Sequence, residues 1–262
     1  MFIRRLLDIY YKATRSRVFH QFLLKNILLV FINYTYAGIN LKKISSKCKS
    51  LEDYINLVFT YRFSLFKEIP FFNIIPWQNK TEIYEFCKLI TPIRPKVILE
   101  IGTASGGTLF LLSKCSSPDA LIISIDLPEG RFGGGYPSKF KPIYKSFASR
   151  NQKLYLLRKD SHKSSSVRKI KKILNKKLID VLFIDGDHTY DGVKKDFEMY
   201  SPLVNKNGII AFHDIVVVPP EKELNVDVHI FWNEIKENFD YKEIVEDWDQ
   251  KYGGIGIIRN ER

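Results

Sequence analysis

The stretch KVILEIGTASGGT, Lys96–Thr108, decides the fold of this 262-residue chain. Its apolar part, Val97–Ile101, predicts a β-strand that is covered on both faces of a sheet. Gly102, Gly106 and Gly107 then form a turn that leads into the apolar helical pattern TLFLL. A glycine turn lets the backbone approach a ligand closely, and the helix behind it presents free N–H groups. The stretch therefore predicts a strand, a ligand-binding turn and a helix.

Strand and helix patterns alternate along the rest of the chain from Thr91 onward. Such alternation predicts an α/β fold, Rossmann-like and doubly wound, with a mostly parallel sheet and helices on both faces. A helix near Val228–Phe239 precedes two closely spaced strands, which predict an antiparallel pair at the end of a seven-stranded sheet. The predicted strands are Val97–Ile101, Leu121–Asp126, Leu154–Leu157, Val181–Asp185, Ile209–His213, Tyr241–Glu246 and Gly254–Arg259.

The spacing of the glycines separates two kinds of nucleotide site. A dinucleotide fingerprint reads G-x-G-x-x-G, whereas the three residues TAS separate Gly102 from Gly106, and Glu100 precedes the first glycine by two positions. This E-x-G-x-x-x-G pattern resembles motif I of the class I S-adenosylmethionine (SAM) dependent methyltransferases, which also have a terminal antiparallel strand pair. The resemblance implies that Glu100, Gly102, Thr103, Ser105 and Gly106 bind SAM.

Acidic residues end the second and third predicted strands, where ligands of such sheets bind. Asp126 follows Gly102 by 24 residues, and a carboxylate there can accept both ribose hydroxyls of a nucleoside. Asp160 and Ser161 lie where the family recognises adenine. The alternative is capping, since Asp126 can cap a turn or helix and Ser161 can N-cap the next helix. The glycine-rich segment Asp126–Phe140 is predicted to act as a mobile lid.

The fourth and fifth strands end in a second group of polar residues. FIDGDH carries Asp185, Asp187 and His188, and IIAFHDI carries His213 and Asp214. Carboxylates that converge at neighbouring strand ends repel each other unless a cation or protons compensate, so a divalent ion such as Mg²⁺, Mn²⁺ or Ca²⁺ is predicted. His188 or His213 is a candidate base. Alternatively, His213 is a metal ligand or a hydrogen-bonded core residue, and Asp187 or Thr189 N-caps the following helix.

The resemblance to the class I methyltransferases becomes more specific in the run from FIDGDH to AFHDI, which is followed by HIFWNEIK and YGGIGIIR. It is similar to the branch of cephalosporin-hydroxylase-like proteins and macrocin-type sugar O-methyltransferases over roughly Trp77–Arg259. The resemblance implies methylation of a hydroxyl on a sugar, glycolipid or small natural product. It also implies Mg²⁺ at Asp185 and Asp214, with Asp185 in the catalytic set. His213 departs from the branch, because some relatives place a second carboxylate there.

Other functions remain as alternatives. The missing G-x-G-x-x-G argues against a NAD-dependent oxidoreductase, and the intact strand-end acids argue against a non-catalytic SAM-binding protein. An RNA methyltransferase would suit the net charge of +12. No interleaving of aromatic residues with a basic groove is evident, so nucleic acid is not the expected partner.

Residues 1–75 are predicted to be a helical appendage to a methyltransferase domain over residues 76–262. Phe22–Tyr36 is apolar but interrupted by polar residues, so it falls short of a bilayer span. Basic and apolar residues from Phe2 to Arg17 have the pattern of a helix that lies on an anionic membrane surface. The alternatives are a lid or a contact between subunits of a homo-oligomer. Three widely spaced cysteines indicate a reducing compartment, so a cytoplasmic protein, peripheral at the inner membrane face, is expected.

Overall fold

A computed structural model describes residues 17–66, 71–130, 135–218 and 226–261, with side chains from residue 29 onward. The helices are α1 Arg17–Ser45, α2 Leu51–Thr60, α3 Lys80–Ile90, α4 Gly107–Cys115, α5 Lys141–Lys145, α6 Ser164–Leu174, α7 Tyr190–Tyr200 and α8 Val228–Ile235. The strands are β1 Arg62–Phe63, β2 Phe72–Asn73, β3 Val97–Ile101, β4 Leu121–Asp126, β5 Lys153–Arg158, β6 Ile179–Ile184, β7 Val204–His213, β8 Tyr241–Ile244 and β9 Ile255–Arg259.

Seven strands form one sheet in the order β5-β4-β3-β6-β7-β9-β8. The pairs from β5 through β7 are parallel, and β9 lies between β7 and β8 and runs antiparallel to both. Strand order therefore reverses between β3 and β6, which is where open α/β sheets bind ligands. The predicted α/β sheet and its terminal antiparallel pair are confirmed.

Several strand ends differ from the prediction by one or two residues, and the larger differences lie at β7 and before β3. β7 begins five residues earlier than predicted, at Val204, because the polar residues Asn205, Lys206 and Asn207 interrupt its apolar pattern. The residues before β3 are not purely helical, since β1 and β2 form a small antiparallel sheet of their own. The predicted helix Val228–Phe239 is present as α8, which continues into a 3₁₀ turn over Lys236–Asn238.

Alternate residues of the central strands enter two separate cores. One face of the sheet carries Ile98 and Phe183 into a core with α3 and α4, and the other carries Leu99 and Phe212 into a core with α6, α7 and α8. All five residues of β3 are buried, as the apolar run predicted. Burial on both faces fixes the register of the strands and hence the positions of their polar carboxyl ends.

The described part of the N-terminal segment packs on the first core. Leu41 of α1 and Val58 of α2 are buried there, and the hydroxyl of Tyr61 donates to the carbonyl of Ala37 at 2.7 Å. The predicted basic helix from Phe2 to Arg17 lies outside the described residues except at its last position. Within the described residues, no helix is long and apolar enough to cross a membrane.

Candidate functional site

The carboxyl ends of β3, β4 and β6 meet at Gly102. Its N–H donates to the carbonyl of Ile125 at 2.9 Å, and the N–H of Asp185 donates to the carbonyl of Ile101 at 2.8 Å. Gly102 has φ +91°, and a Cβ there would lie 1.9 Å from the carbonyl oxygen of Asp185. Only glycine fits this approach, because any side chain would push β3 and β6 apart.

A cleft opens at this meeting point, on the side of β4 and β5. It contains four of the predicted cofactor residues, Gly102, Asp126, Asp160 and Ser161. Apolar side chains from the strand ends and polar groups from the following loops complete its wall. These further lining residues are Ile101, Ile125, Leu127, Gly130, Gly135, Lys159, His162, Gly186, Asp187 and Thr189.

Asp126 braces the glycine turn as well as lining the cleft. Its Oδ2 accepts the backbone N–H groups of Thr103 at 3.2 Å and Ala104 at 3.0 Å. Burial raises the pKa of Asp126 and outweighs these hydrogen bonds, which act to lower it. The carboxylate predicted to bind ribose therefore also fixes the turn.

Two of the other predicted cofactor residues lie beneath the turn. Glu100 is fully buried and accepts the hydroxyl of Ser124 at 2.6 Å, and Ser124 contacts the hydroxyl of Thr103 at 2.5 Å. Burial raises the pKa of Glu100 well above its ordinary value. Glu100 and Thr103 are not among the residues that line the cleft.

Ser105 and Gly106 face the opposite side of the turn. The hydroxyl of Ser105 donates to the carbonyl of Ile75, and Gly106, at φ +84°, packs against the ring of Tyr144. The hydroxyl of Tyr144 in turn donates to the carbonyl of Ala104 at 2.9 Å. These contacts attach the turn to the segment before α3 and to α5, and neither predicted residue lines the cleft.

The second predicted group of polar residues is assembled next to the cleft. His188 Nδ1 lies 2.8 Å from Asp214 Oδ2, and His188 Nε2 lies 3.5 Å from Asp185 Oδ1. His213 Nδ1 lies 3.0 Å from Asp185 Oδ1 and 3.4 Å from Asp214 Oδ1. Each histidine thus bridges the same two carboxylates. This group of four residues is called the acid–histidine cluster below.

The charges of the acid–histidine cluster balance one another. Burial opposes the imidazolium form of His213, but the Asp214 and Asp185 carboxylates outweigh it and raise its pKa well above the ordinary value. Burial also opposes the imidazolium form of His188, but the Asp214 and Asp185 carboxylates outweigh it and raise the pKa of His188. Burial also opposes ionisation of Asp214, yet the two histidines hold its pKa well below the usual range. The imidazoles and the Asp214 carboxylate therefore favour each other's charged forms.

Three residues that the sequence did not identify hold the cluster in place. Gln78 donates from Nε2 to Asp185 Oδ2 at 2.7 Å, and the N–H of Gly253 donates to Asp214 Oδ1 at 3.0 Å. Glu82, fully buried at the start of α3, accepts the N–H of Gly254 at 2.9 Å. No local pattern marks these residues, because their partners are distant in the chain.

The capping alternative holds for Thr189 and not for Ser161. Thr189 Oγ1 accepts the N–H of Gly192 at 3.1 Å and so N-caps α7, while Asp187 Oδ1 accepts the N–H and hydroxyl of Thr189. The N-cap position of α6 is Lys163. Ser161 therefore lies before the helix, in the wall of the cleft.

A second histidine–aspartate pair lies at the other side of the cleft. His162 Nε2 is 3.3 Å from Asp196 Oδ1, and Asp196 is fully buried on α7. The Asp196 carboxylate raises the pKa of His162, against burial, which acts to lower it. This pair could not be predicted from the sequence, since an Asp within a helix is ordinarily solvent-exposed.

Known proteins resemble this chain in sequence and in fold. Residues 99–215 match the model of a family described as "Methyltransferase domain". The uncharacterized protein y4gI of Sinorhizobium fredii is 28% identical over 160 residues, which cover 56% of this chain and 16% of that protein. The chain therefore spans only a small part of the length of this curated relative.

Two solved structures have a similar fold. The O-methyltransferase from Bacillus cereus, solved in complex with SAH, is 17% identical with a TM-score of 0.51, covering 86% of this chain and 99% of that one. Cofactor-bound Rv0187 from MTB is 13% identical with a TM-score of 0.51, covering 81% and 88%. At such identities the likeness shows a shared fold. Residues 99–215 thus resemble a methyltransferase domain, and the chain shares its Rossmann-like fold with the O-methyltransferase from Bacillus cereus.

Proposed function

We propose that this protein is a SAM-dependent methyltransferase that transfers a methyl group to a hydroxyl. The observation that carries the proposal is the position of the acid–histidine cluster. Gly186 and Asp187 line the cleft, and Asp185, the residue before them, belongs to the cluster. A methyl donor in the cleft would therefore lie beside groups that can bind and deprotonate an acceptor.

The cleft has the chemistry that SAM requires. Asp126 and Asp160 offer carboxylates for hydroxyl and amino groups, and Ile101, Ile125 and Leu127 offer an apolar wall for adenine. The Bacillus cereus relative is crystallised with SAH, the demethylated product, which supports the same assignment. When bound, SAM would supply the electrophilic methyl group.

The cluster also fits a divalent metal ion. Ligand atoms of Asp185, His188 and Asp214 lie within 4.8 Å of one another, which suits one ion with open positions for an acceptor. The two carboxylates suit Mg²⁺ or Mn²⁺, and the imidazole shifts the preference toward Mn²⁺. We therefore propose His188 as the third ligand, in place of His213, which the sequence predicted. Such an ion would lower the pKa of a bound hydroxyl.

The histidines differ in their suitability as bases. His213 is almost fully buried, and Nδ1 is held by both carboxylates, so we assign it to positioning and charge balance. His188 is oriented by Asp214 through Nδ1, and we assign Nε2, on the side of Asp185, to take the proton of the acceptor. A nitrogen of His188 that binds a metal ion cannot also accept a proton. The acceptor assay with and without EDTA separates these two roles.

The first experiment is calorimetry with SAM, NAD and Mn²⁺ in separate titrations. We expect SAM to bind, NAD not to bind, and Asp214→Asn to abolish Mn²⁺ binding while SAM affinity changes less than about twofold, because Asp214 does not line the cleft. Binding of NAD in place of SAM would overturn the proposal.

The second experiment identifies the acceptor. We propose a sugar or glycolipid hydroxyl, which rests on the resemblance to the macrocin-type branch. SAH release is measured with a panel of glycosides, catechols and RNA, each with and without EDTA. Release with a glycoside that EDTA abolishes supports the metal-assisted mechanism, and release that EDTA leaves unchanged supports His188 as a metal-free base. Release with RNA alone would refute the hydroxyl-bearing glycan as acceptor.

A further inference from the structure

The outer face of α1 is apolar although it faces solvent. Phe31 and Ile39 are 58% and 59% exposed, and Tyr36 is exposed beside them. The opposite face of the same helix is buried, with Ala37 and Leu41 in the core. An amphipathic surface helix normally presents polar residues outward. Within the part of the chain that the structure describes, nothing packs on this outer face, which consists of Phe31, Tyr36 and Ile39, so its apolar character needs another explanation.

The helix that carries this face and the segment that packs against it contain basic residues and no acidic ones. Residues 17–45 and 135–152 contain no Asp or Glu. These two segments pack together, since a Cβ on Gly38 would lie 3.3 Å from the carbonyl oxygen of Pro142 on α5. Their exposed lysines are Lys42, Lys43, Lys139 and Lys145.

Lys42 also acts on a neighbouring lysine, Lys114. Burial, and after it the repulsion of Lys42, lowers the pKa of Lys114 to about 8. The sequence continues the same bias, because residues 1–50 contain ten Lys or Arg and a single acidic residue, Asp8. This gives +9 in that segment, against +12 for the whole chain.

We propose that the outer face of α1 docks on the surface of an anionic lipid bilayer. Aromatic and aliphatic side chains would enter the headgroup region, and Lys42, Lys43, Lys139 and Lys145 would contact anionic headgroups, which is the mode of binding of interfacial helices. A second copy of the chain is a poorer occupant, because a symmetric contact would oppose these lysines with their own copies.

The experiment is co-sedimentation of the full chain with vesicles of phosphatidylglycerol and phosphatidylcholine, or of phosphatidylcholine alone. We expect binding to the anionic vesicles only, weakened by salt. The double variant Phe31→Ser/Ile39→Ser should weaken binding at least about tenfold, since it removes two apolar anchors. Lys42→Gln/Lys43→Gln should weaken it by about fivefold per lysine.

A matched control is the double variant Ile93→Ser/Leu178→Ser. These residues are 47% and 46% exposed and lie on the loops that lead into β3 and β6, so their removal should leave vesicle binding unchanged. Equal binding by parent and Phe31→Ser/Ile39→Ser would overturn the proposal. It would also be overturned if the parent sediments with neither vesicle and light scattering gives a dimer that the same variant converts to a monomer.

Discussion

Glu82 should control the stability of the loop that holds Asp214. Its Oε1 accepts the side chain of Gln250 at 2.6 Å and the N–H of Glu246 at 3.2 Å, and its Oε2 accepts the N–H of Gly254. One buried carboxylate thus fixes three donors of residues 246–254. Gly253, the residue before Gly254, donates its N–H to Asp214. The loop therefore connects Glu82 on α3 to the acid–histidine cluster.

The magnitude follows from the donors that lose their acceptor. Each buried donor left unpaired costs about 1–3 kcal/mol, and movement of the loop toward water recovers part of it. Glu82→Ala should therefore lower the free energy of unfolding by about 2–5 kcal/mol. Glu82→Gln keeps one acceptor oxygen and the shape of the side chain, so it should lose about half as much.

Urea unfolding measures this effect, and Glu85→Gln is the matched control. Glu85 lies on the same helix with a partly exposed side chain, paired with Lys88 at 3.3 Å, so its loss should change stability by less than about 0.5 kcal/mol. Hydrogen exchange should find faster exchange at Gly253 and Gly254 in Glu82→Ala, with SAM affinity retained. If Glu82→Ala unfolds at the same urea concentration as Glu85→Gln, the loop is held by other contacts and the reasoning is wrong.

Three further outcomes are expected. Asp126→Ala should weaken SAM binding by about 1–3 kcal/mol, and unchanged affinity in calorimetry would refute the ribose assignment. Gly102→Ala should destabilise the fold by about 3 kcal/mol or more, because its Cβ would overlap a carbonyl oxygen at a positive φ; Gly130→Ala, with 3.3 Å to the nearest atom, is the control in the same urea assay. His162 has a raised pKa, so the stability it contributes is present below about pH 6.5 and is lost as pH rises through the raised value. The unfolding free energy of the parent should therefore fall more steeply above that pH than in His162→Gln, and Asp196→Asn should flatten the slope in the same way.

The sequence predicted the strand ends well because burial and chemistry are both local there. A strand covered on both faces reads as an apolar run, and its first polar residue marks the edge of the sheet. Asp126, Asp185 and Asp214 lie within one residue of such a strand end, and each lies at the cleft or in the acid–histidine cluster. His188 and His213 were found in the same way.

The roles of Gln78 and Glu82 could not be predicted from the sequence, because their hydrogen-bond partners are far away in the chain. Gln78 is separated from Asp185 by 107 residues, and Glu82 from Gly254 by 172. Its neighbours in sequence indicate only that Glu82 is an acidic residue in the first turn of a helix, where the helix dipole favours a negative charge. Only the sheet order, which places β9 between β7 and β8, brings residues 246–254 over α3.

The glycine motif predicts the turn correctly, but it does not show which of its residues line the cleft. Gly102 lines the cleft, but Glu100 and Thr103 lie below the turn and Ser105 is bonded to the segment before α3. A turn that must hold its backbone N–H groups in fixed directions needs side chains that anchor it from outside. The residues of such a motif therefore divide into those that face the ligand and those that hold the backbone in place, and spacing alone does not separate the two.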